Sequence, residues 1–312
     1  MALEILSWLD LVEGIISRKA FSVKKLRQIT VVGLGLLGSS VTLTISRCLP
    51  GVKTVGYSHR ATTRDKARQL GIANEVCEDI RQSVREADIV ILATPICTFE
   101  GIFREIAAAL PAGCIATDVG SVKALPHRWA ERILGRNVCY VGSHPIAGSE
   151  KRGLEFARDD LFVNARCILT QSRRTSTAAL GRLRRFWQSL GCSVTVMTPA
   201  EHDRIFGRVS HVPHATAVAL VNASDIEELK FAGKGFIDTS RVASGPANVW
   251  ADILLTNAEN IGRGIDGVIK ELTKIQRAVL NKDAKTIERL LSEAGDKRAA
   301  LIKYKVKNKE LL

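Results

Sequence analysis

The β-branched run Gln28-Ile29-Thr30-Val31-Val32 leads directly into Gly33-Leu34-Gly35-Leu36-Leu37-Gly38, which opens a helical stretch reaching Ser46. That order constrains the fold more than any other part of the chain. Strand, glycine-rich turn and helix at this spacing begin a dinucleotide-binding unit. Gly33 permits the tight turn, Gly35 lets a pyrophosphate approach the backbone, and Gly38 lets helix and strand pack closely. Leu36 and Leu37 fall in the first helical turn, whose unpaired N–H groups and positive dipole end suit phosphate. A GxGxxG motif by itself is a weak signal. Here a strand precedes it, a helix follows it, and Thr54-Val55-Gly56-Tyr57 supplies a second strand at the expected distance.

The end of that second strand departs from the commonest pattern. A site for NAD carries Asp or Glu there, about 20 residues beyond the fingerprint, to bond the ribose hydroxyls. This chain carries Ser58-His59-Arg60, then Thr62, Thr63 and Arg64. Ser58, Arg60 and Arg64 offer a hydroxyl and two guanidinium groups to a dianionic 2′-phosphate, so NADP is expected ahead of NAD. A solvated basic loop is the plainer alternative. The net charge of +13 is spread along the chain and aromatics are only 5%, with no recognition motif or stacking platform. A small anionic molecule is therefore expected as partner, and nucleic acid is not.

Strand and helix alternate as far as Met197, and the strand signal disappears from Pro199 onward. Ala87–Ala93 reads as a buried strand ending at Thr94-Pro95, beside the cofactor; Phe99–Leu110 reads as a helix and Cys114–Asp118 as the next strand. Strands around Cys167–Leu169 and Ser193–Val196 flank a helix over Ser176–Leu190. Beyond Pro199, helices are expected over Ala200–Leu220, Ile226–Phe231, Asn248–Val279, broken near Gly262-Arg263-Gly264, and Ala284–Tyr304. The expected class is α/β: a modified Rossmann dinucleotide-binding domain over 28–198, followed by an all-α dimerisation and substrate domain over 199–312. Residues 1–27 form an extension read as an amphipathic helix. Long amphipathic helices need another apolar surface to cover, which a second subunit would supply. Seven cysteines with no CxxC pair read as buried thiols in a reducing, cytoplasmic compartment, without a metal site. No apolar stretch is long enough to span a bilayer, so no membrane partner is expected.

The remaining signal is Gly142-Ser143-His144-Pro145-Ile146-Ala147-Gly148-Ser149-Glu150, after the apolar run Val138-Cys139-Tyr140-Val141. Proline gives no N–H to a ladder, so the strand is expected to stop before Pro145, leaving His144 in a turn at its carboxyl end. That is where open α/β sheets place their ligands. A structural hydrogen-bonding histidine is the plainer reading of such a turn.

Taken in order, the glycine fingerprint, Asp118-Val119-Gly120-Ser121-Val122-Lys123, Gly142–Gly148, His202-Asp203, Ser210-His211-Val212-Pro213-His214 and Asp238-Thr239-Ser240-Arg241 resemble the prephenate/arogenate dehydrogenases of tyrosine biosynthesis, from about Gln28 onward. The resemblance implies oxidation of the ring carbinol of prephenate or arogenate with NAD(P)+, while the ring carboxylate leaves as CO2. It implies that His144 is the catalytic base, that Ser121 orients it near the nicotinamide, and that Arg241 grips the ring carboxylate. His214 and Ser210 would face the substrate, Glu150 and Lys151 would help hold the site closed, and His202-Asp203 would support it from behind. Left to themselves, Ser121 reads as a helix cap, Arg241 as a surface charge, His214 as part of a helix start and Trp250 as core. Two other readings compete. Another NADP-dependent oxidoreductase, of the β-hydroxyacid or imine-reducing type, would share the glycine loop but would want a catalytic lysine among its helices. A nucleotide-sensing protein would leave His144, Ser121 and Arg241 without a task.

Overall fold

The computed structural model describes residues 26–147 and 153–307. The extension read over 1–27 therefore lies outside the described residues as far as 25, and Gly148, Glu150 and Lys151 lie outside them too.

Six parallel strands form the main sheet: β1 (Gln28–Val32), β2 (Lys53–Tyr57), β3 (Glu75–Cys77), β4 (Ile89–Leu92), β5 (Ile115–Asp118) and β6 (Cys139–Tyr140). Their order is β3-β2-β1-β4-β5-β6, so the direction of strand progression reverses between β1 and β4. Ligands of doubly wound sheets bind at that crevice. β1 and β4 are buried along their whole length, as apolar strands covered on both faces must be. Helix α1 (Leu36–Cys48) follows the glycine turn, α2 (Ala61–Gln69) and α3 (Ile80–Val84) flank β3, and α4 (Phe99–Ile106) and α5 (Ala124–Ile133) complete the wrapping.

The chain then steps into a second, three-stranded sheet of β7 (Gly142–Ile146), β8 (Arg166–Thr170) and β9 (Ser193–Met197), with α6 (Thr177–Ser189) between the last two. This corrects the expectation at Pro145. The run at Val138 divides, β6 keeping only Cys139–Tyr140, and His144 and Pro145 stand within β7, antiparallel to β8 with Pro145 opposite Cys167. β7 is an edge strand, where a missing N–H is tolerated.

Beyond Thr198 every regular element among the described residues is helical: α7 (Pro199–Phe206), α8 (Val212–Asn222), α9 (Ile226–Leu229), α10 (Lys234–Ser240), α11 (Ala247–Thr256), α12 (Ala258–Leu280) and α13 (Ala284–Lys307). Three sequence expectations are corrected here. The helix expected over Ala200–Leu220 is interrupted by a π-helical turn at Gly207–His211, and the helix α10 with the 3₁₀ turn Arg241–Ser244 was not foreseen. The break expected at Gly262-Arg263-Gly264 falls instead at Asn257, whose side-chain amide donates to the Asp203 carbonyl at 2.9 Å. Gly264 stays helical for a different reason. A Cβ there would lie 2.6 Å from Val212 Cγ2, so the glycine lets α8 and α12 approach closely.

Candidate active site

The glycine turn has the geometry a dinucleotide needs. Gly33 adopts φ +106°, and a Cβ on it would lie 2.6 Å from the Ala93 carbonyl oxygen, while one on Gly38 would lie 1.9 Å from the Gly33 carbonyl oxygen. Only glycine fits either place. Around Gly35 the space is open: no heavy atom lies within 4 Å of a Cβ built there, and α1 begins without any side-chain cap. The first N–H groups of α1, with Leu36 and Leu37 half-buried in its first turn, are therefore open to the approach of an anion. Across the crevice, Thr94 shares a hydroxyl hydrogen bond of 2.7 Å with Thr98, and Pro95 closes the turn after β4.

At the end of β2 the structure refines the basic cluster. Ser58 is buried, Arg60 is the exposed N-cap residue of α2, and Arg64 lies inside that helix. Arg64 Nη1 donates to the carbonyls of Ser58 at 2.8 Å and His59 at 3.1 Å. Arg64 therefore braces the turn, whereas the exposed Arg60 makes no ion pair among the described residues.

His144 lies at the other wall. Its Nδ1 is 2.8 Å from Nε2 of His202, and His202 Nδ1 is 2.8 Å from Oδ1 of Asp203. Asp203 also accepts the backbone N–H of Lys123 at 2.7 Å and of Ala124 at 2.8 Å. It thus caps α5 from α7, at the positive end of the α5 dipole, which favours the carboxylate form. Burial raises its pKa, and those two N–H donors and the Lys123 charge oppose the rise. A carboxylate accepting three donors fixes both rings: His202 carries its proton on Nδ1, His144 donates from Nδ1 to His202, and the His144 Nε2 lone pair has no partner among the described residues.

Burial holds His202 down at a pKa of about 2, and His144 well below the ordinary histidine range, with His202 and Lys123 adding to the effect. Both rings are neutral at pH 7. Phe206 stacks on His202 at 4.5 Å and closes over His144 at 4.8 Å.

Sequence reasoning missed Lys123. It stood only as the last residue of the motif Asp118–Lys123, without a role, yet its side chain is fully buried, paired with Asp118 and donating to the Ser143 carbonyl at 2.7 Å. Asp118 is equally buried and also receives the Tyr140 hydroxyl at 2.8 Å and the Ser143 N–H at 3.1 Å. The pair anchors the start of β7 to the end of β5. Gly142 is required beside it, since a Cβ there would lie 2.9 Å from Lys123 Cδ.

The other expected residues divide. Ser121 is half-buried, makes no hydrogen bond to His144 and does not cap α5; His202 holds the histidine ring and Asp203 provides the cap. His214 is buried and stacks flat on Trp250, with ring centroids 3.4 Å apart and 6° between planes, so Trp250 is a wall to that histidine. Its Nδ1 has no hydrogen-bond partner among the described residues. Ser210 is half-buried in the π turn, one residue before His211, whose Nδ1 faces the Asn257 amide at 3.2 Å. Arg241 is exposed in the turn packed against α8 and makes no ion pair among the described residues.

A dinucleotide crevice with a neutral, tautomer-locked histidine on the edge strand β7, beside the loop after β5, defines a nicotinamide-dependent dehydrogenase. Comparison with known proteins narrows that class. The family profile described as prephenate dehydrogenase, nucleotide-binding domain, matches residues 41–196, and the one described as prephenate dehydrogenase, dimerization domain, matches 198–293. The chain is 34% identical over 280 residues to the prephenate dehydrogenase of Bacillus subtilis, covering 88% of this chain and 76% of that one. A crystal structure of prephenate dehydrogenase from A. aeolicus, in complex with hydroxyphenyl propionate and NAD+, superposes with a TM-score of 0.83 at 34% identity, covering 89% and 99% of the two chains. Synechocystis arogenate dehydrogenase superposes with a TM-score of 0.76 at 29% identity, covering 88% and 99%. The chain belongs to the prephenate dehydrogenase family. The competing oxidoreductase and nucleotide-sensing readings fall away.

Proposed function

We propose that this protein oxidises prephenate or arogenate with NADP+ in preference to NAD+, and that it does so as a homodimer. The observation that carries the reading is the hydrogen-bonded order His144 Nδ1–His202–Asp203, which leaves the His144 Nε2 lone pair without a partner among the described residues. Bound across the glycine turn, a nicotinamide dinucleotide supplies the hydride acceptor. His144 Nε2 takes the carbinol proton as the C–H bond breaks, and the charge that develops on its ring is met through His202 by Asp203. The electron pair of the bond to the departing carboxylate moves into the ring, CO2 leaves and the ring becomes aromatic.

Arg241, exposed and without an ion pair among the described residues, is available to hold that carboxylate before it leaves, and a planar fork suits the task. His214, stacked on Trp250 with its Nδ1 unpartnered among the described residues, and Ser210 in the π turn are proposed to face the substrate side chain. Ser121, Thr94 and Pro95 are proposed to line the nicotinamide, and Ser58 and Arg60 the 2′-phosphate. The Arg60 guanidinium supports NADP+, and the relative from A. aeolicus was crystallised with NAD+.

The dimer rests on unpartnered apolar surface. α13 buries no residue, and Leu255, Leu280 and Leu291 are 73%, 74% and 67% exposed. A second copy covering these helices would bury that surface, and light scattering at micromolar concentration tests it: a strictly monomeric mass refutes the dimer. The activity is tested by supplying prephenate and arogenate, each with NAD+ and with NADP+, and following the absorbance of reduced nicotinamide. No reduction with any of the four pairs refutes the reading. A higher kcat/KM with NAD+ refutes its cofactor half alone.

A further inference from the structure

A second cavity, of about 320 Å³, opens between the C-terminal half of α5, β6 and the turn after β8. Its apolar lining comes from residues such as Leu134 and Val138, and its charged lining is two guanidinium groups, Arg136 and Arg174, against the single carboxylate of Glu131. Arg174 Nη1 donates to the backbone carbonyl of Glu131, which fixes its position. Arg136 makes no ion pair among the described residues, and it is exposed to any ligand that enters. The volume lies at the lower end of small-molecule sites, and the lining has the mix of apolar surface and a few polar groups that such sites show.

Two of the lining residues connect this cavity to the catalytic wall. Tyr140, only 7% exposed, donates its hydroxyl to Asp118 at 2.8 Å, and Asp118 is the partner of Lys123. His127, only 4% exposed, meets the Tyr140 ring edge-on at 4.8 Å and has its Nε2 2.9 Å from the Thr170 hydroxyl. Thr170 is the register partner of Gly142, two residues before His144. One hydrogen bond on each path therefore separates the cavity lining from the residues that hold β7 in place. Burial, with Lys123 adding to it, pushes His127 down to about 3, so the ring is neutral and the positive charge of the cavity resides on the arginines.

We propose that this cavity is a second ligand site, for a small organic carboxylate with an apolar body, and that its occupancy is felt at the catalytic histidine through Tyr140 and His127. The carboxylate would pair with Arg136 and Arg174, and the apolar body would cover Leu134, Val138 and the Tyr140 ring. The lining shares no residue with the glycine turn or with the His144–His202–Asp203 chain, and the effect on turnover rests on the role proposed for His144.

Benzoate, acetate and inorganic phosphate, compared at constant ionic strength by thermal shift and calorimetry, test the site without any substrate present. Benzoate should bind saturably and more tightly than acetate or phosphate. Arg136→Gln should weaken benzoate binding at least tenfold, in line with loss of one charge-assisted bond, and leave the basal kcat and KM unchanged. Saturating benzoate should also change the kcat of the wild type and not that of Arg136→Gln. Phosphate binding as tightly as benzoate would overturn the apolar-body assignment. Benzoate binding that Arg136→Gln leaves intact and that substrate displaces would place it in the active site and overturn the proposal, as would no binding at all. Arg174→Gln, which also removes the bond to Glu131, provides a second reading of the same loss.

Discussion

Replacing His202 by Phe tests the relay most directly, because it removes two hydrogen bonds while keeping an aromatic ring on Phe206. In the ground state His144 donates a neutral hydrogen bond to His202 across 2.8 Å, and once His144 has taken a proton that bond is made by an imidazolium. A neutral bond contributes about 0.5–1.5 kcal/mol and a charged one about 1.5–3 kcal/mol, so only the difference, about 1–2 kcal/mol, acts on the barrier. That corresponds to a fall of about 5- to 30-fold in kcat. The KM for the cofactor should not move, since the glycine turn is untouched. Asp203 retains its two backbone donors, so α5 stays capped and the variant should fold. His144→Asn removes the base itself and should cost about 10²–10⁴-fold in kcat. In the double variant the His202 substitution should add little, because there is no longer a proton for the relay to stabilise. Steady-state kinetics with a thermal melt for each variant give the answer. Turnover of His202→Phe within twofold of the wild type, or fully multiplicative losses in the double variant, would refute the relay.

Lys123→Met should destabilise the protein by about 3–5 kcal/mol by urea denaturation, because Asp118 is left charged and fully buried; adding Asp118→Asn should recover part of the loss, and a loss under about 1 kcal/mol would remove the ion pair from the account. Stability should also fall steeply in mild acid. His211, His127 and His202 are held at about 4, about 3 and about 2 by burial, so the unfolded chain takes up protons near 6.5 that the folded chain refuses. Their stabilising contribution is complete above about 6.5 and is lost as pH falls toward those folded values, at roughly 1.4 kcal/mol per pH unit for each histidine. Urea unfolding from pH 7 to pH 5 measures it, and a slope below that of a single histidine contradicts the assignment. Arg60→Ala should raise the KM for NADP+ at least tenfold and leave that for NAD+ nearly unchanged; equal effects on both would make Arg60 a solvent-facing residue.

The sheet was legible because its signals are local. A β-branched run before three spaced glycines, and a continuous apolar run at β4, name buried parallel strands without knowledge of their neighbours. The failures share the opposite character. Pro145 was taken to end a strand because the sequence does not say which strand will be an edge. The break at Asn257 depends on a carbonyl 54 residues away, whereas the glycines at 262 and 264 looked like breakers and instead serve close packing. Lys123 is the clearest case. No local pattern marks a lysine for complete burial, and only the carboxylate of Asp118, brought alongside by the turn after β5, makes that tolerable. His202-Asp203 was expected to support His144 on resemblance. The bond order that sets the tautomer was visible only once three segments met.

Asp203 serves both parts of the molecule at once, and this constrains how the site can be assembled. Its residue lies on α7, the first helix after Thr198, yet both its oxygens are bound to the N-terminus of α5 in the sheet-bearing part. The position of His202, one residue earlier, is thereby set against the loop after β5 rather than against the other helices. α11 reinforces the same junction, since Ile253 is buried in the core cluster of the main sheet and Trp250 packs against it. A sheet-bearing part without α7 would leave the N–H groups of Lys123 and Ala124 without their acceptor and the His144 ring without its hydrogen bond. In the proposed mechanism His144 therefore acquires its working tautomer only when the helical part is seated on the sheet-bearing part, so the site is assembled from both.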